Sequence, residues 1–109
     1  MHVGETVKRL TIYVDEKDRF HHKPVYKAVL DILHEHQVSG ASIFRGIGGF
    51  GATGVVHSAR ILELSSDLPI KIEAVDSEEK INMVLPDVCN VVEKGLVTIS
   101  DTMVIKCQR

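Results

Sequence analysis

Hydrophobic and polar positions in this chain switch between two periods. From Thr6 to Val14 the apolar Leu10, Ile12 and Val14 alternate with Arg9, Thr11 and Tyr13, the period-two pattern of a strand with one buried face. The polar stretch DEKDRFHHK follows, and Pro24 is placed to open a helix in which Val25, Ala28, Val29, Ile32 and Leu33 recur at i, i+3, i+4, i+7 and i+8. Gly40 is expected to close it. Residues Ala41 to Arg45 predict a second strand running directly into GIGGFGATG. Further on, Ile70, Ile72 and Ala74 alternate with Lys71 and Glu73, a third strand. Asp76 or Ser77 can cap the next helix, with Glu79 placed as in a capping box. Its apolar stripe is Ile81, Val84, Leu85, Val88, Cys89 and Val92. Pro86 predicts a kink or a restart, and Gly95 the end. Leu96 to Ile105 supplies a last strand, with Asp101 on the side of Val97, Ile99, Met103 and Ile105, so a bulge or break is expected near Ser100 to Thr102.

The order β-α-β-β-α-β predicts a ferredoxin-like α+β sandwich, an antiparallel sheet with both helices on one face. A chain of 109 residues can bury one sizeable core, so a single domain over 1–109 is expected. The other sheet face would carry Tyr13, Phe44 and Val75, which predicts burial against further copies of the chain. With 13 Lys and Arg against 15 Asp and Glu, the net charge of -2 provides no field for collecting nucleic acid or anionic lipid. No apolar run approaches the roughly 20 residues that cross a bilayer, and MHVGETVKRL has no signal-peptide core, so a cytoplasmic protein without membrane insertion is expected. Cys89 and Cys107 lack CxxC spacing and read as reduced thiols.

Between Gly46 and Asp67 no period is visible, and structureless loops beyond about 12–15 residues are usually functional or disordered. This loop carries Gly46, Gly48, Gly49, Gly51 and Gly54, then His57 and Arg60, then the apolar Ile61, Leu62 and Leu64. Glycines permit positive φ and let backbone amides converge on an oxyanion, so with Arg45 they make a candidate phosphate cradle. The segment neither opens a helix nor contains the GK[ST] of a P-loop, which leaves a glycine-enabled bend or a partner-docking loop as alternatives.

Six histidines raise the question of a metal. The adjacent His21 and His22 do not readily share one tetrahedral ion, and His34 and His36 point to different sides of a helix. His57, in the loop beside Ser58, suits ligand binding or pH sensing better. Ser58 and Ser65 lack the strained elbow and orienting carboxylate of a nucleophile, and no catalytic residue is assigned. The acids Asp76, Glu78 and Glu79 fit a helix start.

FRGIGGFG at Phe44 to Gly51, the pair His57 and Ser58, and SSDLPI at Ser65 to Ile70 together resemble the Domain of Unknown Function 190 family of PII-like proteins, over nearly the whole chain. LPIKIEAVD is also similar to the corresponding part of nitrogen regulatory PII proteins. The resemblance implies a homotrimer that binds an adenine nucleotide (ATP, ADP or AMP) or another small anion between subunits and grips a partner, a membrane transporter or an enzyme, through the loop of about residues 46–67. It implies Arg45, Gly46, Gly48, Gly49, Gly51, His57 and Lys106 as ligand-binding residues, with adjacent subunits contributing. The chain departs from PII where NVVEKGLV offers only Lys94 and Gly95 in place of a second phosphate loop, and where Ile70 directly follows Pro69. A trimeric metal-binding or scaffold protein is the alternative.

Overall fold

The computed structural model describes residues 1–50 and 67–106, together with the backbone of residues 56–58. In chain order the elements are β1 (Thr6–Asp15), β2 (Arg19–Phe20), β3 (Lys23–Pro24), α1 (Val25–Glu35), β4 (Ala41–Arg45), β5 (Gly48–Phe50), β6 (Val56–Ser58), β7 (Pro69–Asp76), α2 (Glu78–Val91) and β8 (Leu96–Met103). The main sheet has the order β4-β7-β1-β8, antiparallel throughout, which is the expected ferredoxin-like arrangement.

Register follows from the alternation. Leu10 lies opposite Ala74 and Ile99, Ile12 opposite Ile72 and Val97, and Val14 opposite Ile70. On this face Val25, Ala28, Val29 and Leu33 of α1 and Ile81, Val84, Val88 and Val91 of α2 complete one core. Each large side chain removed from water contributes about 1.5–3 kcal/mol, so the two helical stripes and the strand alternation specify the same face. Across β1, the opposite register sets Tyr13 beside Lys71 and Leu96, and Phe44 of β4 beside Lys71.

Several local expectations are corrected. Helix α1 stops before Gly40: Gln37 takes φ +58, while the Gln37 amide donates to the His34 carbonyl and the Val38 amide to the Leu33 carbonyl. Those bonds form a Schellman motif with glutamine in the left-handed position that glycine usually fills. Of the two expected cap residues it is Ser77 that caps α2, accepting from the Lys80 amide. Asp76 instead accepts from the Ser39 and Ser77 amides. Helix α2 does not restart at Pro86 but runs through it from Glu78 to Val91. The pairing of β1 with β8 continues without a bulge across Ser100, Asp101 and Thr102, because Asp101 lies opposite Lys8 and pairs with its ammonium group. Gly95 serves the approach to β1 rather than the helix end: its φ is +146 and a Cβ there would stand 2.4 Å from the Tyr13 carbonyl oxygen. The long loop is not structureless at its root, since β5 pairs with β6.

Candidate functional site

Arg45 is the last residue of β4, a strand at the edge of the sheet, and Gly46 begins the departure into the long loop. Its guanidinium makes a two-point contact with Glu16, Nε to Oε2 at 3.0 Å and Nη2 to Oε1 at 2.9 Å. The Arg45 side chain is 51% exposed, whereas that of Glu16 is 19% exposed. The hydrogen bonds from Arg45 to Glu16 raise the guanidinium further above its ordinary value, so it stays a cation at any physiological pH. Glu16 takes the Nε and Nη2 fork side-on, the same geometry by which a guanidinium recognises a carboxylate or phosphate ligand.

Glu16 is fixed by its backbone. It follows the end of β1, its amide donates to the Leu68 carbonyl at 2.9 Å, and its own carbonyl accepts from Arg19 Nη1. The Asp18 carboxylate accepts from the Asp15 amide and tightens the same turn. Glu16 is the one residue at this site without a sequence signal, because a lone acid in a charged connector does not distinguish itself from a solvated one.

The loop glycines have packing roles. Gly46 donates its amide to the Pro69 carbonyl at 2.7 Å, and a Cβ on Gly46 would meet Pro69 Cγ at 2.7 Å. That amide is therefore committed to the sheet. Gly49 has φ +152, and a Cβ there would stand 3.7 Å from Pro69 Cγ. Gly48 and Gly49 lie opposite Ser58 and His57 in the β5–β6 ladder, which brings the backbones of two candidate residues side by side. Gly51, Gly54, Arg60, Ile61, Leu62, Leu64, Ser65, Cys107 and Arg109 lie outside the described residues, as do the side chains of His57 and Ser58.

Lys106 is exposed and belongs to the opposite end of the sheet. Met103 pairs with Thr6 at the start of β1, whereas Arg45 pairs with Ile70, which pairs with Val14 near its end. At about 3.3 Å per residue the two ends are about 26 Å apart, so one chain does not bring Lys106 to Arg45. A groove of about 470 Å³ lies between α1 and the start of β4, lined by Leu30, Leu33, His34, Val38, Ser39 and Ala41 among others. Among the described residues no group of three or more His, Cys, Asp or Glu stands together in a metal-binding arrangement, and no helix is long and apolar enough to cross a membrane.

Comparison with known proteins places this geometry in a family context. The sequence matches the DUF190 family, described as an uncharacterized ACR, over residues 7–104. A UPF0166 protein of Methanocaldococcus jannaschii is 43% identical over 100 residues, covering 91% of this chain and 92% of its own. A UPF0166 protein of Aquifex aeolicus is 37% identical over 98 residues, covering 90% of this chain and 92% of its own. Among solved structures, CPII, a nitrogen regulatory PII-like protein from Thiomonas intermedia K12 bound to ADP, AMP and bicarbonate, superposes with a TM-score of 0.72 at 22% identity over 94% of this chain and 91% of that one. At that identity the likeness speaks for the fold.

Proposed function

Because the chain belongs to the DUF190 family, we propose that it is a PII-like regulatory protein rather than an enzyme. It works in the cytoplasm as a homotrimer that binds an adenine nucleotide, ATP, ADP or AMP, or another small anion between subunits. It acts through the long loop on a partner, a membrane transporter or an enzyme. The observation that carries this reading is the half-exposed guanidinium of Arg45 at the junction of sheet and loop. A cation there can sense an anion and pass its presence to the loop, because ligand contacts that favour one loop state shift its population.

Two further observations support the reading. CPII shares the fold and was solved with ADP, AMP and bicarbonate bound. The sheet face away from the helices carries Tyr13, Phe44 and Leu96 at 45%, 48% and 55% exposure, an apolar row suited to packing against other copies. Arg45, Gly46, Gly48, Gly49, Gly51 and His57 would line the ligand from one subunit, and Lys106 would reach it from a neighbour. Isothermal titration with AMP, ADP and ATP tests the reading. Saturable binding is expected, weakened about tenfold or more in Arg45→Ala, as for loss of a charge-assisted contact to an anion. Absence of binding to all three removes the nucleotide version.

The satisfied Gly46 amide and the packing of that residue on Pro69 favour a second reading, a trimeric scaffold whose loop root is static. It predicts a protease-resistant loop that no nucleotide alters.

A further inference from the structure

Arg45 already holds a carboxylate. The contact uses both Glu16 oxygens at 2.9 and 3.0 Å, the same two-point geometry by which a guanidinium takes a phosphate or carboxylate ligand. The Glu16 backbone is held in a short turn tied to Leu68 and Arg19 and its side chain is the less exposed of the pair, while Arg45 lies on an exposed edge strand. The pair also makes a tie across the fold: it joins the exit of β1 to the last residue before the loop. Screening at the exposed guanidinium keeps that tie weak enough to exchange.

We propose that Glu16 is an internal competitor for the anion, holding Arg45 through this contact and giving it up to a phosphate-bearing ligand. Exchange of one anion for another cuts the link between the β1–β2 turn and the loop root at Arg45 to Phe50. Glu16 thus sets both the affinity threshold and the coupling. This inference rests on the anion-binding role proposed for Arg45, and it adds the residue that opposes it.

The test measures ADP and inorganic phosphate binding by calorimetry at fixed ionic strength, using the intact oligomer of wild type, Glu16→Gln, Glu16→Ala and Asp18→Asn. Asp18→Asn removes one negative charge from the same turn, where the Asp18 carboxylate contacts the Asp15 amide, and controls for a general charge effect. Both Glu16 variants should bind at least threefold more tightly than wild type, with Asp18→Asn changing affinity less. Amide exchange of residues 46–50 should change in wild type on adding ADP, and should quicken in Glu16→Gln without it.

Weaker or unchanged binding in both Glu16 variants overturns competition and makes Glu16 an orienting partner of Arg45. An equal gain in Asp18→Asn overturns it in favour of general electrostatics, and unchanged exchange overturns the loop release. Phosphate binding that tightens in Glu16→Gln while ADP fails to bind upholds the competitor and removes only the nucleotide reading. Binding by Glu16→Gln alone upholds it in its strongest form. No binding of either probe to any variant removes both.

Discussion

The two faces of the main sheet share the same strands and differ in almost everything else. On the helix side Leu10, Ile12 and Ile72 are wholly buried and Val14, Ile70 and Ala74 nearly so. On the other side Tyr13 and Phe44 are about half exposed, the Lys71 ammonium lies 4.7 Å from the centre of the Phe44 ring, and Lys71 stands 3.8 Å from Glu73. Such exposed ion pairs contribute at most about 1 kcal/mol, and a partly exposed cation–π contact is of similar size. The first face therefore explains why the chain folds. The second leaves aromatic area uncovered by the described residues, the area that the proposed assembly would bury.

The largest test of this contrast sets adjacent residues against each other. Ile72→Ala empties the centre of the core and should lower the unfolding free energy by about 2–5 kcal/mol. Its neighbour Glu73→Ala should change it by less than about 0.5 kcal/mol; urea denaturation measures both, and equal effects would erase the distinction between faces. Next comes Gly95→Val, where a side chain must clash with the Tyr13 carbonyl at a positive φ. A loss of about 1–3 kcal/mol is expected in the same assay. Tyr13→Asp, on the uncovered face, should instead reduce the sedimenting mass towards that of the monomer while leaving far-ultraviolet circular dichroism unchanged.

The smallest effect concerns pH. The hydrogen bond from Lys23 holds the Asp31 carboxyl below its ordinary value. A depressed folded-state value means that the contribution is fully present above the unfolded value of about 3.9 and is lost as pH falls through the folded one. Stability curves of wild type and Asp31→Asn should therefore begin to converge as pH falls below about 4 and meet only below the depressed folded-state value. A difference that persisted there would assign the pair's contribution to something other than ionisation.

Much of the fold was legible because burial writes a period into the chain: the alternations at Leu10–Val14 and Ile70–Ala74 and the stripes beginning at Val25 and Ile81 all point to the core. What escaped is set by single contacts. Asp101 reads as a break in an apolar strand until Lys8 is seen opposite it. Gln37 closes α1 in a conformation that marks glycine in most sequences, so Gly40 drew the prediction three residues too late. At the site, the sequence singles out Arg45 by its place before a glycine run. It is silent on Glu16, which lies 29 positions away in the chain and meets Arg45 only because β1 and β4 both flank β7. The separation of Lys106 from Arg45 is likewise a matter of strand register, and a site that joins them has to be built from more than one chain.

Arg45 is proposed to bind an anion at the loop root between subunits. A crystal structure of the full chain grown with ADP tests it most directly. The diphosphate is expected within hydrogen-bonding distance of the Arg45 guanidinium, in a cleft bounded by two chains, with the contact to Glu16 broken. Nucleotide bound elsewhere, with the Arg45–Glu16 pair intact beneath an ordered loop, would contradict it.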